Sequence, residues 1–217
     1  MKLPRRLLSV LLVAACVSPV PVLAGQTTVG LHGGLTRATF SDLDALVEQE
    51  SRSGVRVGVS ATVPVSGSLG LRFAGSYVQA GGGFAFPNFG EDGSSVRAGI
   101  NLDYFRLSAL ARAALPMESS NVAVYLLAGP FAGFRTGCST SIAEQGVSFS
   151  ADCEADFEGD LSTTDFGISG GVGLEVGVSN SMGVALEALY DLGLTDIDLE
   201  DTKTRVFSIV AGLVFSL

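Results

Sequence analysis

The sequence predicts an all-β fold, an eight-stranded antiparallel transmembrane up-and-down β-barrel, and three observations carry that prediction. Apolar and polar residues alternate with period 2 in one segment after another from Thr27 to Leu217, and no stretch of comparable length has the i, i+3, i+4 spacing of an amphipathic helix. The connections between these segments are long and short by turns, as in a barrel with long loops on one side of a membrane and tight turns on the other. The two faces of the segments also differ in size, one bulky and aliphatic, the other mostly Gly, Ala and Ser with a few charges.

Strands are expected near 27–39, 54–65, 69–80, 96–115, 122–135, 164–178, 183–194 and 204–217. Each is long enough, because a tilted membrane strand needs roughly 9 to 11 residues. Long connections at 40–53, 81–95, 136–163 and 195–203 take turns with short ones at 66–68, 116–121 and 179–182. The long ones are expected outside the cell and the short ones in the periplasm, and an even strand number brings both termini to the periplasmic side.

The content of the faces decides which one meets lipid. In the second strand Val55, Val57, Val59, Ala61, Val63 and Val65 oppose Arg56, Gly58, Ser60, Thr62 and Pro64. In the third, Leu69, Leu71, Phe73 and Tyr77 oppose Gly70, Arg72, Ala74 and Ser76. In the sixth, Phe166, Ile168, Val172, Leu174 and Val176 oppose Asp165, Gly167, Ser169, Gly173 and Glu175, and in the seventh Val184, Leu186 and Tyr190 oppose Glu187 and Asp191. A soluble barrel turned the other way needs large polar residues on its solvent face, usually with many lysines. Here that face is small, and Lys203 is the only lysine after residue 24. Small residues with a few charges suit the narrow lumen of eight strands, which side chains fill, so the aliphatic face is expected to meet acyl chains.

Two strands are less regular. In the fourth, Ile100, Leu102 and Tyr104 are followed by Phe105, Leu107 and Ala109, which predicts one extra residue near Tyr104 and Phe105, as in a β-bulge. In the fifth both faces are apolar and Pro130 removes a ladder donor, so its register stays open.

Residues 1–24 read as a signal peptide: Lys2, Arg5 and Arg6, an apolar run from Leu7 to Val17, and a close on Val22-Leu23-Ala24. Cleavage after Ala24 leaves a barrel domain over 25–217. A lipoprotein reading of Val13-Ala14-Ala15-Cys16 competes, although a membrane-spanning barrel has no need of a lipid anchor. No later segment is a charge-free apolar run long enough to cross a bilayer as a helix. Loss of the three basic residues leaves 10 basic against 22 acidic, a net charge of −12, which excludes nucleic acid as a partner. Cys138 and Cys153 then remain, and an exported compartment allows them to pair and close the base of a hairpin in the longest loop; two unpaired thiols are the alternative.

With this register the lumen receives Arg56, Arg72, Arg97, Arg106 and Arg112 together with Asp103, Asp165, Glu175, Glu187 and Asp191. Buried charges need partners, and running the chain up and down puts Arg72, Arg112, Glu175 and Glu187 at similar depth near the periplasmic end, where one cluster is expected. The cluster reads as a plug, since eight strands leave little more than side-chain volume inside; an ion path or gate is the alternative. His32, the only histidine, has no local motif of nucleophile and orienting group beside it and reads as a satisfied lumen residue. No catalytic set and no cofactor are expected. Of the 22 acids, 16 fall in the long connections, where divalent cations are natural partners. Asp196, Asp198, Glu200 and Asp201 form a weak calcium candidate that lacks the glycine and distal glutamate of an EF-hand loop, and a solvated acidic loop is the alternative.

Several segments, in order along the chain, add a resemblance: Gly30-Leu31-His32-Gly33-Gly34-Leu35, Ile100-Asn101-Leu102-Asp103-Tyr104-Phe105, Leu127-Ala128-Gly129-Pro130-Phe131-Ala132-Gly133-Phe134, Asp165-Phe166-Gly167, Tyr190-Asp191-Leu192-Gly193-Leu194 and the close from Arg205. In these the chain resembles the PorT-like, outer-membrane β-barrel domain family of eight-stranded porin-like proteins. The ending Gly212-Leu213-Val214-Phe215-Ser216-Leu217 looks like the signal read by the barrel-assembly machinery, with Leu217 in place of the usual terminal aromatic and Val210 where a polar residue is common. The resemblance implies an outer-membrane location and no particular activity. Four readings follow: a non-enzymatic barrel with a structural or surface-interaction role through acidic loops; a small passive channel; a lipid-modifying barrel dependent on His32; and a soluble lipocalin-like barrel.

Overall fold

The computed structural model describes residues 26–41, 48–86, 95–115, 122–144, 147–153, 162–179, 181–196 and 202–217. The strands are β1 (Thr28–Ser41), β2 (Glu48–Ser66), β3 (Leu69–Phe86), β4 (Val96–Ala114), β5 (Val122–Glu144), β6 (Val147–Asp152), β7 (Thr164–Gly177), β8 (Met182–Gly193) and β9 (Lys203–Ser216). Every pairing is antiparallel, β1 pairs with β9, and the β4–β5 pairing closes the sheet into a ring of eight strands. Closure leaves the ring without an edge, which is what allows strands to cross a bilayer. The ninth strand, β6, stands outside the ring and, among the described residues, pairs with the upper part of β5 alone.

Strands extend further toward the loop end than the alternation predicts. β2 begins at Glu48, β3 runs on to Phe86 and β5 to Glu144. There the period-2 signal fades, as in Gly81-Gly82-Gly83, where glycine puts no side chain on either face, while the ladder continues.

The outer face is a belt of exposed aliphatic and aromatic side chains, among them Leu31, Leu35, Val57, Val59, Phe73, Leu107, Leu126, Val172, Leu186, Ile209 and Leu213. Its upper limit is the same on seven strands. Arg37, Ser53, Gln79, Asp103, Thr136, Thr164 and Arg205 are the first polar outward positions, and two residues below them stand Leu35, Val55, Tyr77, Phe105, Phe134, Phe166 and Phe207. Five of those seven are aromatic, and such a girdle marks a membrane interface. The bulky face therefore points outward and the lipocalin-like arrangement does not apply.

The fourth strand corrects the expected bulge. β3 and β4 pair without a break from Leu69↔Ala113 to Phe86↔Val96, and Leu102, Tyr104, Arg106, Ser108 and Leu110 all face inward. The extra residue lies on the partner: Asp103 pairs with Gly137 and Tyr104 with Arg135, so Thr136 is the bulged position. Even positions of β4 thus stay inside, and its upper apolar residues are core. In β5 the open register resolves with Tyr125, Leu127 and Phe131 inside and Leu126 and Phe134 outside. Pro130 lies where the β4–β5 ladder is interrupted, between Ser108↔Phe131 and Ala111↔Ala128.

Cys138 and Cys153 are joined, with Cα atoms 5.4 Å apart, and clamp the base of the β5–β6 hairpin. Closing a 15-residue separation stabilises by about 3 kcal/mol in the chain-entropy model. Since β6 is outside the ring, reduction is expected to expose residues 147–153 to protease while leaving the heat-modifiable gel shift of the barrel unchanged; limited proteolysis with and without reductant checks this.

Candidate functional site

The barrel interior is stacked in three levels. At the turn end, Arg72 is ion-paired with Glu187, which also accepts a hydrogen bond from the Tyr125 hydroxyl at 2.6 Å. Arg112 pairs with Glu175 at 3.1 Å and lies over the Tyr125 ring, its guanidinium carbon 4.0 Å from the centroid. The structure thus brings Arg72 to Glu187 and Arg112 to Glu175, with Tyr125 as the link between the pairs. The Arg112–Glu175 pair is the more exposed, at 21% and 27% of the side-chain surface, because it lies nearest the turns. The cavity among these groups and His32 is about 30 Å³.

The middle level is a four-charge network. Asp191 Oδ2 accepts from Arg56 and from Arg106, each at 2.8 Å, and its Oδ1 accepts from the Ser169 hydroxyl at 2.6 Å. The other guanidinium nitrogen of Arg106 donates to Asp165 at 2.8 Å, and Thr204 donates to the same oxygen at 2.8 Å. Two arginines and two aspartates balance, all within 4% exposure. Burial this deep is tolerated only because every charge has a hydrogen-bonded counter-charge. Arg106 also lies over Phe131, 4.4 Å from the ring centroid.

At the loop end the interior is apolar. Ala38, Phe40, Val78, Ala80, Leu102, Tyr104 and Val206 form a buried cluster, with Phe84, Ile100 and Cys138 packed against it. A second apolar set, Leu110, Tyr125, Leu127, Leu189 and Val210, packs inside the barrel as well.

Glycines make room for the large interior groups. Tyr125 pairs across the ladder with Gly173, and Phe131 with Gly167. A Cβ at either glycine would overlap the opposing ring. The aromatic–glycine pairing is the sequence signal that could have identified Tyr125 and Phe131 as interior groups.

Two expected lumen residues are elsewhere. Arg97 is 64% exposed and pairs with Glu50 at 3.0 Å above the belt. Asp103 is on the outer face, where it accepts from the Tyr77 hydroxyl at 2.8 Å and pairs with Arg52 at 3.3 Å. The register change expected in β4 would turn both inward, and it does not occur. His32 is buried, with Nε2 3.1 Å from the Ser76 hydroxyl; Nδ1 has no hydrogen-bond partner among the described residues, so no orienting group stands behind this pair. Asp196 forms an ion pair with Lys203 at 3.3 Å, whereas Asp198, Glu200 and Asp201 lie outside the described residues. Among the described residues no group of three His, Cys, Asp or Glu side chains could hold a metal ion.

The sequence matches the family model described as outer membrane protein beta-barrel domain over residues 24–199. No curated protein matches it. Among solved structures it is similar to the outer membrane protein OprG of Pseudomonas aeruginosa, with 10% identity over 90% of this chain and 98% of that one and a TM-score of 0.51. It is also similar to Neisserial surface protein A, with 17% identity, 88% and 97% coverage and a TM-score of 0.48. For Ail, the attachment invasion locus protein of Yersinia pestis, the figures are 15% identity, 88% and 100% coverage and a TM-score of 0.40. At these identities the likeness concerns the fold alone. The closed ring, the outward belt and the family match lead to one conclusion: this chain belongs to the outer membrane protein beta-barrel domain family, and its place is the outer membrane.

Proposed function

We propose that this barrel is closed to solutes and serves a structural or surface-interaction role, not an enzymatic one, through its strand extensions and acidic loops outside the cell. One observation carries the proposal: charged pairs, a buried four-charge network and an apolar plug occupy the interior in succession, and the cavity in the lowest level has room for about one water. A conducting path would have to part all three. In planar bilayers the refolded protein is expected to give no discrete conductance steps; steps that change when Arg72 or Glu187 is substituted would favour the passive-channel reading instead.

The same proposal includes the export route and the partners. Residues 1–24 act as the cleaved signal, the Gly212–Leu217 segment is read by the barrel-assembly machinery, and the acidic loops attract divalent cations. A PorT-like kinship within the family belongs here too, on the ordered segments from Gly30 to Leu217.

A further inference from the structure

We propose that Arg37 and Arg205 form a binding site for the phosphate group of an outer-leaflet lipid headgroup. Both belong to the ring of polar residues that limits the belt, one step above the aromatic girdle, at the level where headgroup phosphates lie. They stand on neighbouring strands: Arg37 is opposite Phe207, and Arg205 is opposite Thr39, so the arginines occupy diagonal positions on one outward face. Diagonal side chains start roughly 7 Å apart, within reach of a common acceptor for two arginines. Arg37 donates from Nε to the Ser51 hydroxyl at 2.7 Å, which orients the guanidinium and leaves its terminal nitrogens for a ligand.

Among the described residues neither arginine has a carboxylate partner, although acids are in excess. After residue 24 the chain carries 22 acidic residues against 10 basic ones, and seven of the ten described cations are ion-paired. Of the other three, Arg135 has a buried terminal nitrogen, and Arg37 and Arg205 are exposed with no ion pair among the described residues. Two outward arginines at diagonal positions favour a doubly charged, oxygen-rich anion through charge-assisted, bidentate hydrogen bonds. A free anion must approach a strongly acidic protein against repulsion, whereas a lipid phosphate is already held at this height beside the barrel. That selects the lipid.

The test is to refold the protein in phosphatidylcholine vesicles with and without lipid A, a bisphosphorylated glycolipid, and to follow thermal unfolding by the heat-modifiable gel shift. Lipid A is expected to raise the midpoint for the parent. The double variant Arg37→Gln, Arg205→Gln is expected to lose most of the rise, and Arg97→Gln, an equal loss of charge at a residue already paired with Glu50, to keep it. Inorganic phosphate added to phosphatidylcholine vesicles is expected to do nothing. Both substituted side chains face outward, and the folded gel band verifies that the variant assembles; lipid phosphorus retained after detergent extraction gives a second readout, several-fold lower in the double variant. An equal rise in the double variant overturns the proposal. So does no rise in the parent, as loop carboxylates seated on the arginines would produce, or a rise with inorganic phosphate alone.

Discussion

Replacing Asp191 with alanine is expected to be among the costliest single changes at the charges of this barrel. Arg56 and Arg106 both donate to one Asp191 oxygen, and after its loss Arg56 retains only the Ser208 hydroxyl at 3.5 Å while Arg106 retains Asp165. Removing one partner of a buried ion pair leaves an uncompensated charge and costs about 3–5 kcal/mol. The half-exposed Asp196–Lys203 pair supplies the contrast, since Asp196→Ala should cost about 0–1 kcal/mol, as exposed pairs do. Urea titrations of both variants in one lipid, read by the folded gel band, check the difference. If Asp191→Ala and Asp196→Ala unfold at the same urea concentration, the middle network is not what holds the interior together.

Val59→Arg is the second large effect, and it comes from the other side of the wall. Val59 is on the outer face of β2 between Val55 and Val65, near the middle of the belt. Arginine at the midplane of a membrane barrel costs about 2–4 kcal/mol, falling to about 0–1 kcal/mol near the interface. Ser53→Arg, on the same face of the same strand but in the polar ring, should therefore be nearly silent. Equal, small effects at both positions would mean that the outer face of β2 meets water.

Much of the fold is legible because a membrane barrel has two chemically distinct faces and strand periodicity writes them on alternate residues. Val55 to Val65 in β2 and Phe166 to Val176 in β7 show this without help from tertiary structure. The pattern misleads where that asymmetry ends. Leu102 and Tyr104 are apolar and inside, in the plug at the loop end, whereas Asp103 between them is polar and outside, above the girdle. Read as lipid-facing, the apolar pair demands a bulge that β4 does not have; the added residue is Thr136, in a segment with no alternation to betray it. The arrangement within the interior was less legible still. Arg56, Arg106, Asp165 and Asp191 can be assigned inward by parity, but that one aspartate receives both arginines depends on how three strands are placed across the lumen. Tyr125 and Phe131 are hidden in a strand apolar on both faces, and only their glycine partners on β7 distinguish the inner one.

The most direct measurement uses the absence of tryptophan from the sequence, which makes a single introduced indole an unambiguous reporter. Phe73→Trp replaces an outward side chain that is 48% exposed, and Phe131→Trp one on the inside that is 4% exposed. In vesicles of lipids brominated along the acyl chain, emission from position 73 should be strongly quenched and that from position 131 should not. Quenching at 131 with none at 73 would contradict the outward placement of the aliphatic face, and with it the barrel described above.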